Sequence, residues 1–295
     1  MINNGLEIRA FGDALLATGD LDPIYIAAHR SMGGESASDR GRLAAWMVAY
    51  WCFYDAGAAC YLAEQGPAKY WGAMLTAAEN RSPAPDGGRW PRGRERRHFR
   101  GAAAELAVEQ LAHRYARPIA LVEQLGAAGP AAQSVMSRAR AEHLFGPWIA
   151  FKIADMIERV AGFEVDFGDH EAAPRLFFRD PLVGALMTWN AWHDRPLDAL
   201  LIGISESDAV AEVVREMMTW WRATGAPPTD NRGCNLQEVE TVLCKWKSHA
   251  RGRYPVGTDI AEIRHGLARW TTCSSLAQLF ESQMPERVAA AEVAS

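Results

Sequence analysis

The sequence predicts an all-α fold, and three observations predict it. Apolar residues recur at helical spacing along nearly the whole chain, alanine is abundant, and β-branched runs are short, so no segment advertises itself as a strand. With 295 residues and 49% hydrophobic content the chain can bury a full core, which excludes disorder over most of its length. No internal repeat and no clear linker interrupts it. Residues 1–284 therefore read as one helical domain, with Pro285–Ser295 as a loose tail.

Taken in order, periodicity predicts a first helix near Leu6–Thr18, then a loop through His29–Arg42 around Gly33-Gly34. Leu43–Ala63 follows, with Asp55 as its single charge. Its length would suit a bilayer, but the central aspartate and scattered tyrosines favour a buried central helix. One face of it carries Trp46, Tyr50, Phe53 and Gly57, a pattern that fits core packing or a wall for a stacked base. A shorter helix near Ala68–Ala78 precedes a Pro/Gly-rich loop over Ser82–Gly101, because Pro91 and Gly93 break any helix there. Gly101 then opens an alanine-rich helix, Ala102–Arg114, followed by Pro118–Gly126 and Ala131–Glu142. The turn Leu144–Trp148 leads into Ile149–Val160. After an irregular stretch, helices are expected at Pro181–His193, Asp194–Leu201, Glu206–Thr224, Leu236–Ala250 and Thr258–Thr271.

Charge is distributed unevenly. Arg89–Arg100, RWPRGRERRHFR, holds six arginines and one glutamate, a local charge of +5 in a chain whose formal net charge is −5. A slightly acidic protein that gathers its cations at one loop has an anionic ligand in prospect. Phosphate would meet guanidinium forks there, together with free backbone N–H groups where Ala102–Arg114 begins. A solvated charge run is the plain alternative. Trp90, His98 and Phe99 argue against it, since a solvated run rarely includes aromatics.

A second feature is helix, tight turn with Gly146, then helix, the helix-hairpin-helix arrangement that contacts the DNA backbone through turn amides. GPWIAFKIADMIERVAGFEVD, from Gly146 to Asp166, resembles the hairpin region of helix-hairpin-helix base-excision glycosylases. In those enzymes a catalytic aspartate follows the turn glycine at about the separation of Asp166 from Gly146, after a short extended piece such as Phe163–Val165. Phe145 and Pro147 depart from the usual Gly-x-Gly turn, and no four-cysteine iron–sulfur signature is present.

A closer resemblance runs from about Asp39 to Leu267. PRGRERRHFRG (Pro91–Gly101), FGPWIAFKIADMIERV (Phe145–Val160), CNLQEVETVLCKWKSH and RYPVGTDI (within Cys234–Ile260) resemble the α-glutamyl/putrescinyl thymine pyrophosphorylase family of phage thymine hypermodification, which includes amino acid:DNA transferases. The resemblance implies a helix-hairpin-helix glycosylase-like helical domain. It also implies a substrate, double-stranded DNA carrying phosphorylated 5-hydroxymethyluracil, at whose 5-methylene carbon an amine displaces the (pyro)phosphate. The amine would be an amino acid such as glycine or a polyamine. An upstream DNA base kinase would supply the activated base, and no cofactor is implied. Two other readings remain: a glycosylase acting on a modified base, and a non-catalytic DNA-binding protein.

That chemistry assigns roles. Arg92, Arg94, Arg96, Arg97 and Arg100 would hold the departing phosphate, with Gly146 and Trp148 at the DNA backbone. His98 would serve as donor or proton carrier near neutral pH. An ammonium nucleophile must lose a proton before it attacks, so a carboxylate base is required. Asp166 is one candidate, by the hairpin spacing. Asp155 is another: it shares a helical face with Lys152 and Arg159, although an ion-pair ladder explains that face equally well. Reaching the methylene group of a stacked thymine calls for base flipping. On Leu236–Ala250, Glu238, Lys245 and His249 form a strip able to hold an amino acid, or else a solvated face.

Five cysteines (Cys52, Cys60, Cys234, Cys244, Cys273), an odd number without a CxxC pair, fit a reduced protein better than a disulfide scaffold. Cys234, Cys244 and His249 match no zinc spacing, so no metal is expected. The N-terminus lacks the basic start and apolar core of a secretory leader. No membrane association is therefore expected, and the cytoplasm of a phage-infected bacterial host follows if the resemblance holds.

Overall fold

The computed structural model describes residues 4–33 and 36–286, with side chains from residue 7 onward. Pro285–Ser295, expected as a tail, lies almost wholly outside them. The described residues are helical as expected: α1 (Asn4–Thr18), α2 (Pro23–Met32), α3 (Ala37–Phe53), α4 (Ala56–Ala63), α5 (Tyr70–Glu79), α6 (Ala102–Arg114), α7 (Pro118–Gly126), α8 (Ala132–Arg140), α9 (Pro147–Arg159), α10 (Ala173–Leu176), α11 (Arg179–Trp192), α12 (Glu206–Trp221), α13 (Leu236–His249), α14 (Thr258–Ala268) and α15 (Ser275–Gln283). No described helix is long and apolar enough to cross a membrane.

Three expectations need correction. The stretch His29–Arg42 is mostly helical, the end of α2 and the start of α3, where Ser36 caps α3 by accepting from Asp39 N. The apolar run Leu43–Ala63 is two helices: Tyr54 takes a left-handed conformation (φ 52°, ψ 37°) that ends α3, and Asp55 caps α4. Asp194–Leu201 is a loop. Asp194 is left-handed (φ 52°), and Asn190 Nδ2 donates to the carbonyls of Leu197 (3.2 Å) and Ala199 (2.8 Å), taking them out of any helical ladder.

The chain forms two compact units. One comprises the described parts of Met1–Pro23, Asp166–Ile260 and Pro285–Ser295; the other comprises Ile24–Val165 and Ala261–Met284. In the first, α11 crosses α13 with Gly184 against the backbone of Leu243. A Cβ at Gly184 would lie 2.1 Å from Leu243 O. Gly184→Ala must push the two helices apart and is expected to cost about 1–3 kcal/mol, read as a lower Tm. An unchanged Tm would contradict this crossing.

In the second unit α3 is the central element. Every residue from Leu43 to Phe53 is buried, with Trp46 and Trp51 among the largest fully enclosed side chains. The reason is compositional, since an 11-residue stretch without a charge has no polar face to offer water.

Candidate functional site

The arginine loop belongs to the second unit, and its cations divide into two sets. Arg92 lies inward: Nε donates to Phe99 O (2.6 Å), Nη1 to Pro91 O (2.8 Å) and Nη2 to Ala77 O (2.6 Å), while its guanidinium stands 4.3 Å from the Phe53 ring. Arg96 is 1% exposed. It donates to Cys52 O (3.1 Å) and Leu144 O (2.9 Å), with its guanidinium 4.6 Å from the ring of Phe99 and 5.5 Å from that of Phe145. Burial pushes both guanidinium pKa values down to about 10, so both remain cationic at neutral pH, balanced by carbonyl dipoles and aromatic faces. These two arginines, expected on phosphate, instead fold the loop.

Arg89, Arg94, Arg97, His98 and Arg100 form the outer set, and all are exposed. Arg94 pairs with Glu262 (2.7 Å). The side chains of Arg97 and Arg100 pair with no described residue, and between Arg97 and the start of α6 lie only four residues. The first turn of α6 has no side-chain cap. Exposed guanidinium groups thus stand beside free helix-terminal N–H groups, as phosphate requires. Burial and the nearby Arg96 charge lower the His98 pKa, which leaves its ring neutral at pH 7 and able to accept a proton.

The segment around Gly146 joins α8 to α9. Its left-handed residue is Leu144 (φ 62°), not Gly146, which is extended (φ −77°, ψ −177°) and precedes Pro147 at the first helical position. Gly146 is exposed and the α9 N-terminus has no side-chain cap. Arg96 joins the arginine loop to this turn through Leu144 O. Trp148 is half-buried and meets Tyr54 edge to face (4.8 Å, 71°).

Within α9 the expected face turns inward. Asp155 is fully enclosed: Oδ2 accepts from Tyr25 Oη (2.9 Å) and Oδ1 from Arg159 Nη1 (3.3 Å), with Arg159 also over the Tyr25 ring (4.8 Å). Lys152 is 7% exposed. Asp155, Lys152 and Arg159 form a buried polar seam on α9, neither a surface ladder nor a solvent-facing pair.

Asp166, Glu238, Lys245 and His249 belong to the first unit. Asp166 is exposed, and Oδ1 accepts from Gly168 N (2.7 Å), closing a local turn. Glu238 is fully buried. It completes a capping box with Asn235 (2.8 Å to Asn235 N) and accepts from Arg232 at 3.0 and 3.2 Å. Lys245 donates to Asp20 O, pairs with Asp259 (2.8 Å) and lies 5.2 Å from the Tyr254 ring. His249 stacks on Phe11 (4.1 Å) with Nδ1 2.8 Å from Tyr254 O. The strip expected to hold an amine is thus largely committed to the protein itself.

Asp20 and Asp55 had no assigned role in the sequence analysis. Asp20 is fully buried, accepting from Ile260 N (2.9 Å), Gly257 N (2.7 Å) and Tyr254 Oη (3.3 Å), and its burial raises its pKa despite the Lys245 charge. Asp55 sits at the α3–α4 break, partly exposed, with Oδ1 accepting from Ala58 N (2.8 Å). Its signal was present in the sequence, as the sole charge in an apolar run of 21 residues.

A family model described as amino acid:DNA transferase matches residues 16–254. The chain is similar to a glycinyltransferase of Pseudomonas phage PaMx11, with 41% identity over 290 residues, covering 95% of this chain and 97% of that protein. It is also similar to a putrescinyltransferase of Delftia phage PhiW-14, with 26% identity over 284 residues, covering 95% and 83% of the two chains.

Proposed function

This chain belongs to the amino acid:DNA transferase family, and from that premise we propose that it joins the amino group of glycine to the 5-methylene carbon of a phosphorylated 5-hydroxymethyluracil in double-stranded DNA. The observation that carries this reading is the end-to-end likeness to the glycinyltransferase at 41% identity. A polyamine as donor has weaker support, at 26% identity.

The local chemistry fits. Displacement of phosphate from a carbon builds negative charge on the departing oxygens, and Arg97 and Arg100 are free to meet it. The uncapped starts of α6 and α9 offer N–H groups to further phosphates, of the leaving group and of the DNA backbone. An upstream reaction of the base-kinase class must supply the activated thymine, since nothing in the transfer itself phosphorylates the base. The site of action is then the cytoplasm of an infected bacterium, where the phage DNA is made.

DNA affinity follows from the same set of cations. If about four phosphates are neutralised, log Kd against log salt has a slope near 3–4 in magnitude. A slope near zero, measured by anisotropy of labelled duplex, would rule out DNA at the arginine loop. The activity is tested by incubating the protein with radiolabelled glycine and duplex bearing phosphorylated 5-hydroxymethyluracil. Label is expected in the DNA only when the base is phosphorylated; no label in that DNA, or label in unphosphorylated DNA, contradicts the reading.

A further inference from the structure

We propose that Asp55 is the catalytic base that takes the proton from the incoming amine, an assignment that rests on the transferase reading above and adds a residue to it. The α3–α4 break is where the fold is held under strain. Tyr54 is a bulky residue in a left-handed conformation, which costs of order 1 kcal/mol and persists only where neighbours fix it. The neighbours are clear: its ring stacks on Tyr50 (4.5 Å) and meets Trp148 edge-on (4.8 Å). Its carbonyl faces Gly93, where a Cβ would lie only 2.4 Å away. Gly93 N also donates to Phe53 O (2.9 Å), so the break is seamed to the arginine loop.

Asp55 is the next residue. Its Oδ1 caps α4, and Oδ2 accepts from no described residue. The charged groups facing it are Arg269 and Arg92, with Asp86 beyond, and Arg269 is already paired with Asp86. Asp55 is therefore partly exposed, beside cations but bound to none. Burial raises its carboxyl pKa in spite of both arginines, which makes it a stronger base than an ordinary carboxylate. Of the other candidate carboxylates, Asp155 is held by Tyr25 and Arg159, Glu238 by Arg232 and Asn235, and Asp20 by three donors, while Asp166, in the first unit, is exposed with Oδ1 accepting from Gly168 N.

The glycine ammonium gives one proton to the Asp55 carboxylate. The freed nitrogen lone pair forms the C–N bond at the 5-methylene as the C–O bond breaks, and the bonding pair leaves with phosphate. Protonated Asp55 then returns its proton to the departing phosphate or to water, and the product nitrogen is a secondary ammonium.

Asp55→Asn separates this role from helix capping, because asparagine caps a helix as well as aspartate does. The variant is expected to retain Tm and duplex affinity while turnover falls at least about 10²-fold. The deficit shrinks as pH rises and glycine deprotonates unaided. Turnover within threefold of the unmodified protein, or an equal deficit at every pH, overturns the proposal. If the variant does not fold, the pH–rate profile of the unmodified protein decides. An acidic limb with an apparent pKa above the ordinary carboxylate range is expected. A rate that climbs without a plateau to the pKa of glycine itself means that no protein base acts. Absence of product from the unmodified protein removes the transferase reading, and Asp55's role with it.

Discussion

Arg97→Ala is expected to lower turnover by about 10²–10³-fold while weakening duplex binding less than tenfold. The asymmetry follows from where charge develops. A backbone phosphate carries its charge in free DNA and in the complex alike, so one lost contact is one of several. The departing phosphate gains charge only as the C–O bond breaks, and a guanidinium beside it stabilises the transition state more than the ground state. Arg97 suits that role because it is exposed and its side chain pairs with no described residue. Single-turnover rates set against anisotropy titrations separate the effects. Equal losses in both would reduce the loop to a DNA grip without a part in chemistry.

Asp155→Leu is expected to destabilise the protein by about 3–5 kcal/mol, read from urea or thermal unfolding. Removing this carboxylate takes away one acceptor from the Arg159 guanidinium, 2% exposed, and one from Tyr25 Oη. Leucine keeps the branching at Cγ but accepts no hydrogen bond. Asp155→Asn retains one acceptor and should cost less. A loss below 1 kcal/mol for the leucine variant would mean that the seam is not the structural anchor its geometry indicates.

How far the sequence foretold these outcomes depended on the range of the forces involved. Ala102–Arg114 and Pro118–Gly126 were legible to the residue because local signals bound them: Gly101 before the first, Pro118 opening the second. The turn between α8 and α9 was legible for the same reason, although the left-handed residue in it is Leu144, not Gly146. The break at Tyr54–Asp55 was not, since apolar periodicity continues across it and Asp55 is an N-cap signal only once the helix is known to stop. Helix α2 was hidden by the pull of Gly33-Gly34 toward a loop.

The site divides in the same way. Charge concentration at Arg89–Arg100 is a one-dimensional fact, and it was visible. Which arginines turn inward is set by the carbonyls of Ala77, Cys52 and Leu144, brought from distant segments, and no spacing rule encodes that. Asp155, Lys152 and Arg159 could be seen to share a face, but Tyr25, 130 residues away in sequence, decides that the face is buried. Glu238 follows Asn235 at capping-box spacing, so its structural role was readable in advance.

The central claim is tested most directly by mass spectrometry of nucleosides. Duplex containing 5-hydroxymethyluracil, phosphorylated by a suitable kinase, is incubated with the protein and a pool of amino acids and polyamines, then digested. A new nucleoside equal to thymidine with glycine joined through nitrogen at the 5-methylene is the predicted result. Loss of the modified base with abasic DNA left behind, or unchanged nucleosides despite tight and salt-sensitive binding, would contradict it.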